Sequence, residues 1–282
     1  MRYSFLILIM VLLCFVSCFN FRTSNSSTLK KIKKVNVKAQ FYQDTFNDTK
    51  LNYLKAGNDE SCCVVFIHGA PGANDAFIDY IKDTQLLKKS TLIAIDRPGY
   101  GYSSREKKHY TIQEQSDIIG QWIKKMKLKH EKIILVGHSY GGAMVAKLAM
   151  DYNQYIHSSI QISGAVDPNN EKIFWFSKLG NTKLIYRIES KTLKVTTNEK
   201  MNHANELLSS VNHWDSITKP YTVIHGNDDD LVPYINATYS MNKLNKNISK
   251  LITVNHGGHL LIWDEYNLIK KEIIHQIELG DK

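Results

Sequence analysis

Cysteine is scarce in this chain: four in 282 residues. Cys14 and Cys18 lie in the N-terminal stretch, which leaves Cys62 and Cys63 for the body of the protein. Neighbouring residues of an extended segment point to opposite faces, so a bond between these two would be strained. A disulfide framework is therefore excluded, and buried free thiols are expected. No C-x-x-C or H-E-x-x-H spacing is present, and His256 and His259 lack further ligands at zinc-site spacing, so no metal is expected. The formal charge is +9, yet no basic stripe interleaved with aromatics occurs, which argues against nucleic acid. Internal repeats are absent too. The longest apolar run near the N-terminus, Phe5 to Val16, is about a dozen residues, too short to span a bilayer comfortably.

That run follows Arg2 and has the length of a signal-peptide core. Phe15-Val16-Ser17-Cys18 ends it and resembles a bacterial lipobox, departing from the usual pattern at Phe15. Residues 1–17 are thus expected to be a signal peptide and Cys18 a lipid-anchor site, giving an exported, membrane-anchored lipoprotein facing the periplasm or cell exterior. A simply secreted chain and an uncleaved anchor are the other fates of such a segment. Residues 18–34 read as a Ser/Asn/Lys-rich tether. Lys30, Lys31, Lys33, Lys34 and Lys38 could meet an anionic membrane surface, although keeping a tether solvated is the simpler role.

From Val35 onward, short β-rich runs alternate with helical patterns. Strands are expected at Val35–Tyr42, Leu51–Lys55, Cys62–Ile67, Thr91–Ile95, Lys132–Val136, Ser158–Ser163, Tyr221–Ile224 and Lys250–Val254. Helices are expected near Asp75–Lys88, Ile112–Met126, Gly142–Met150, Tyr234–Leu244 and Asp264–Leu279. Continuous apolar strands separated by helices imply an α/β fold, a mostly parallel sheet covered on both faces. Residues 35–282 form one domain in this reading, large enough for a single core. Residues 167–219 lack a clear strand and carry Phe174-Trp175-Phe176; this stretch reads either as a helical lid over the carboxyl edge of the sheet or as an excursion whose aromatics only pack it onto the body.

Gly137-His138-Ser139-Tyr140-Gly141 stands between one of these strands and a small-residue helix. Strand, sharp turn and helix are the setting of a G-x-S-x-G nucleophile elbow. A serine hydroxyl is a poor nucleophile at neutral pH and needs a base to take its proton. Histidine titrates near neutrality and can return that proton to the leaving group. A carboxylate on the other ring nitrogen fixes the tautomer. His256 and His259 compete for the base, and Asp228, Asp229 and Asp230 for the acid.

Five motifs in order, each at a strand's end, carry a resemblance to the α/β-hydrolase superfamily over nearly all of the chain after the leader. His68-Gly69-Ala70-Pro71-Gly72 resembles the H-G-x-P-G oxyanion turn, and Asp96 to Ser103 the D-x-P-G-x-G-x-S loop. The elbow is third. Gly226 with Val232-Pro233 resembles the acid turn, which selects Asp229, and Gly258-His259 falls where the family places its histidine. The resemblance implies an α/β-hydrolase fold with about eight strands and a small lid. It also implies a Ser139–His259–Asp229 triad without cofactor and an oxyanion hole from the backbone N–H groups of Ala70 and Tyr140. The small-molecule substrate is expected to be a carboxylic ester, cleaved through an acyl-enzyme. Proline-iminopeptidase-like amide cleavage, carbon–carbon bond cleavage, acyl transfer and a non-catalytic ligand-binding role share the scaffold. His68 is expected to brace its turn, His138 to point away from the Ser139 hydroxyl, and the Asp96–Ser103 loop to be structural.

Overall fold

The computed structural model describes residues 21–107, 109–173 and 182–280. The expected signal peptide and Cys18, like the aromatic group at 174–176, lie outside these residues. No helix among the described residues is long and apolar enough to cross a membrane.

Eight strands form one sheet in the order β1-β2-β4-β3-β5-β6-β7-β8. They are β1 (Ala39–Phe46), β2 (Thr49–Ala56), β3 (Cys62–Ile67), β4 (Thr91–Ile95), β5 (Lys132–His138), β6 (Ser158–Ile162), β7 (Tyr221–Gly226) and β8 (Ser249–Val254). Only the pairings β1–β2 and β2–β4 are antiparallel. From β4 through β8 the strands are parallel, and β3 through β7 consist almost entirely of buried residues. That burial is why they read as continuous apolar runs rather than alternating ones.

Alternation nonetheless sorts each strand's side chains between two cores. Cys63, Val65, Ile67, Leu135 and Ile133 share one with Ile119, Trp122 and Met144. Cys62, Val64, Phe66, Ile134 and Val136 share the other with Phe77, Tyr80, Ile269 and Ile273. Helices α4 (Ile112–Lys127) and α5 (Tyr140–Asp151) cover the first face, and α10 (Tyr266–Glu278) the second. Between β6 and β7 runs the excursion that contains α6 (Lys183–Ile188) and α7 (Lys191–Ser210). Cys62 and Cys63 are buried on opposite faces and share no disulfide, and burial pushes the Cys63 thiol up.

Three local boundaries differ from the sequence expectation. Residues 25–33, read as part of a tether, form helix α1 (Asn25–Lys33), capped by the Ser24 hydroxyl. Thr28 and Ile32 are almost fully buried. Their i, i+4 spacing makes a narrow stripe that a lysine-rich composition conceals. The first hairpin turns at Asn47 and Asp48, both at positive φ, a two-residue turn that suits the twist of its strands. Its first strand therefore starts at Ala39 instead of Val35. The helix expected over Asp75–Lys88 is broken into a 3-10 turn (Asn74–Phe77), α2 (Ile78–Ile81) and α3 (Thr84–Leu87). The break falls at Asp83, whose carboxylate accepts the N–H groups of Gln85 and Leu86 and starts a new helix. Two further helices among the described residues are α8 (Ile235–Lys243) and α9 (Leu261–Asp264).

Candidate active site

The carboxyl ends of the parallel strands bring the five sequence motifs to one edge of the sheet, where ligands of such folds bind. Ser139 is the pivot between β5 and α5. Its backbone sits at φ 59° and ψ −122°, a region that costs a non-glycine residue about 1–3 kcal/mol. The surroundings hold it there: its N–H donates to the Ile162 carbonyl at 2.9 Å, and its carbonyl accepts Gly142 N–H at 2.8 Å. The turn closes only because Gly137 and Gly141 lack side chains. A Cβ on Gly141 would lie 2.1 Å from the Ile67 carbonyl oxygen, and one on Gly137 2.1 Å from that of Gly141.

Asp229 and His259 come from the loops after β7 and β8. His259 Nδ1 and Asp229 Oδ2 are 2.8 Å apart, while the other carboxylate oxygen accepts Leu231 N–H at 2.9 Å and Val232 N–H at 2.8 Å. His225 Nε2 stands 3.4 Å from Asp229 Oδ2. Burial would by itself raise the Asp229 carboxyl. Hydrogen bonds from His225 and His259, the charge of His259 and the Val232 N–H outweigh it, leaving the group well below the usual carboxylate range. The rivals sit elsewhere. Asp228 and His256 are exposed and pair with each other at 3.1 Å, away from the buried pair.

His138 is buried, and it has a partner the sequence did not disclose. Its ring lies 4.8 Å from that of His259, and its Nε2 is 2.8 Å from the His259 carbonyl oxygen. Burial, reinforced by the neighbouring His259, pushes its pKa down to about 3. A neutral ring can donate Nε2–H to that carbonyl, which fixes the loop carrying His259.

Ser139, Tyr140, His259, Ala70 and Pro71 line one cavity of about 440 Å³, closed on the lid side by Leu193, Thr196, Thr197 and Glu189 of the excursion. Ser139 and His259 thus open onto the same space without being hydrogen-bonded to each other, an arrangement common before substrate tightens such contacts. Tyr140 is the first residue of α5, so its N–H has no intrahelical acceptor. No backbone acceptor takes the Ala70 N–H among the described residues.

The turn His68–Gly72 is pinned from behind. Arg97 N–H donates to His68 Nε2 at 3.0 Å, which leaves the His68 proton on Nδ1, 2.7 Å from the Gly69 carbonyl oxygen. Burial and the adjacent Arg97 charge keep His68 neutral, well below the ordinary histidine range. Asp96 is buried and accepts Asn52, Asn74 and Tyr102 N–H groups, so this loop is a structural node. Among the described residues no cluster of His, Cys, Asp or Glu has the geometry to hold a metal ion.

A family model for the alpha/beta hydrolase fold matches residues 63–212. The chain belongs to the α/β-hydrolase family. It is 24% identical to a proline iminopeptidase of Saccharolobus solfataricus, a match spanning 81% of this chain and 88% of that protein. Among solved structures it is similar to the 2-hydroxy-6-oxo-6-phenylhexa-2,4-dienoate hydrolase of Rhodococcus sp. strain RHA1. The TM-score there is 0.65 at 18% identity, covering 86% of this chain and 99% of that one. A monoacylglycerol lipase of Paleococcus ferrophilus superposes with a TM-score of 0.61 at 19% identity, covering 80% and 98%. At such identities the structural likeness speaks for the fold.

Proposed function

We propose that this α/β-hydrolase is a serine esterase that works through an acyl-enzyme. The observation that carries the reading is Ser139 held in a strained backbone at the tip of the elbow. It opens onto the cavity that also receives His259, whose far nitrogen is held by buried Asp229. In this scheme His259 Nε2 takes the Ser139 proton as Oγ attacks the ester carbonyl. The carbonyl electron pair moves onto oxygen, which the Ala70 and Tyr140 N–H groups receive. Collapse expels the alcohol with the proton from His259, and water, activated by the same ring, releases the acid. Asp229 stays ionised throughout and stabilises the imidazolium that forms twice per turnover. Losing one oxyanion donor in such sites costs about 3 kcal/mol.

An ester with an apolar acyl part fits the wall formed by Ala70, Ala165, Leu193, Leu231 and Val232. A fluorophosphonate probe tests the reading: wild type should be labelled and Ser139→Ala should not. A folded wild-type protein that resists the probe and all esters would favour a binding module.

One observation supports a second reading, amide cleavage next to a free amine. Glu189 is buried in the cavity wall, and the Thr197 hydroxyl is 3.5 Å from each of its carboxyl oxygens. Such a group could receive an ammonium. Aminoacyl p-nitroanilides, run beside p-nitrophenyl esters of rising chain length, separate the two. Export and lipid attachment at Cys18 remain part of the proposal and rest on the N-terminal sequence.

A further inference from the structure

Behind the cavity, Arg97 and Glu199 form an ion pair whose side chains are wholly buried. The esterase scheme gives neither of them a step. All five guanidinium N–H donors of Arg97 have acceptors. Nε donates to the His68 carbonyl at 2.9 Å and Nη2 to the Gly69 carbonyl at 3.1 Å. Nη1 reaches Gln115 Oε1 at 2.7 Å, and Nη1 and Nη2 reach the two Glu199 oxygens at 2.8 and 3.1 Å. Glu199 is equally saturated, since Gln115 Nε2–H and the Tyr100 hydroxyl complete its shell at 2.9 and 2.5 Å. The guanidinium also lies against the rings of Tyr100 and Tyr140, 4.5 and 4.3 Å from their centroids.

Two features give this network a direction. Glu199 belongs to α7, the long helix of the lid, whereas Arg97 belongs to the loop after β4. And the Gly69 carbonyl is in the same planar peptide group as the Ala70 N–H, so fixing one end fixes where the other points. Two donors, Arg97 Nη2 and His68 Nδ1, hold the carbonyl end. A cation on that oxygen also polarises the N–H opposite, as linked hydrogen bonds do. The second candidate donor, Tyr140 N–H, is on the residue whose ring packs on the same guanidinium.

We infer that Glu199 is a positioning residue, through which the lid helix sets the Gly69–Ala70 peptide of the oxyanion hole by way of Arg97. Seating of the lid and readiness of the oxyanion hole are then one event. Without the carboxylate, Arg97 is a buried cation lacking its counter-charge, and it moves toward whatever acceptor or water it can find. The Ala70 N–H turns with it. This inference rests on the acyl-enzyme reading of Ser139.

The test compares Glu199→Gln with Glu206→Gln. Glu206 is on the same helix and ties it to α4 through Ile112 N–H at 2.8 Å and to the segment before α4 through His109 Nε2 at 3.1 Å, without touching the Arg97 network. For a soluble p-nitrophenyl ester, Glu199→Gln should lower kcat about 10- to 100-fold with KM within about threefold, because misplacing a transition-state contact acts on the chemical step. Affinity for a boronic acid that mimics the tetrahedral state should fall in parallel. Glu206→Gln, matched for Tm, should keep kcat within about threefold. Equal losses in both variants, or a Glu199→Gln loss confined to KM, would overturn the assignment. If Glu199→Gln does not fold, Tyr100→Phe, which removes one donor to the same carboxylate, should give a smaller loss of the same kcat type; an effect on KM alone would also refute it. Ser139→Ala run alongside distinguishes the failures: persistent activity there undermines the acyl-enzyme reading itself.

Discussion

Replacing Asp229 by asparagine probes the proposed triad at its most constrained point. One carboxylate oxygen accepts two backbone N–H groups, from Leu231 and Val232, at 2.9 and 2.8 Å. The asparagine carbonyl must take that place, since an NH₂ there would face two donors. The amide nitrogen then falls where Oδ2 stood, 2.8 Å from His259 Nδ1. A donor cannot face a protonated Nδ1, so the ring shifts its proton to Nε2 and loses the lone pair that should accept from Ser139. The expected loss in kcat is about 10⁴-fold, or about 5 kcal/mol of transition-state stabilisation. Binding contacts are untouched, so KM should change little. Steady-state hydrolysis of a p-nitrophenyl ester, with Tm measured on the same preparation, reads the effect. Asp228→Asn is the companion variant, and because Asp228 is exposed and pairs with exposed His256 away from the buried pair, it should remain within about twofold of wild type. An Asp229→Asn enzyme that keeps a tenth of its activity, or an Asp228→Asn enzyme that loses most of it, would refute the reasoning.

Other expectations follow from the same geometry. His68 and His138 are held neutral in the folded state, with pKa values depressed below the unfolded value near 6.5. The unfolded chain therefore binds their protons first, so stability present above pH 6.5 should fall as pH drops toward 3, by up to about 1.4 kcal/mol per pH unit for each ring. Urea melts between pH 7 and 4 should show this, and a slope unchanged in His138→Gln would argue against that histidine's share. Gly141→Ala drives a methyl group to 2.1 Å from a backbone oxygen, so soluble yield should collapse or ΔG should drop by more than about 4 kcal/mol; normal folding would mean that the elbow is looser than described. Ile32→Ala should cost about 2–4 kcal/mol because α1 is docked in the second core, whereas a free tether would show no change. Metabolic incorporation of a fatty-acid analogue should disappear in Cys18→Ala, and its survival there would exclude attachment at that residue.

The motifs that make the chemistry legible are local ones. Gly137 to Gly141, His68 to Gly72 and Gly226 to Pro233 each encode a turn whose backbone needs particular residues at fixed offsets, so a linear pattern carries them. The apolar runs of β3 to β7 likewise announce buried parallel strands, because burial on both faces leaves no room for polar alternation. Helix α1 escaped notice because two buried positions in nine contribute little to its lysine-rich composition. The separation of Asp229 from Asp228 is invisible to composition as well, since adjacent residues of a turn differ only in which way the backbone aims them. Least readable were His138 on the His259 carbonyl, 121 residues away, and Arg97 on Glu199, 102 residues away. Contacts of that range arise only when the sheet brings loop ends together and the lid helix folds over them. Sequence by itself settled the motif-bearing turns and which strands are buried on both faces; the tertiary structure decided which turns meet, because burial in a shared core, not neighbouring position, selects those partners.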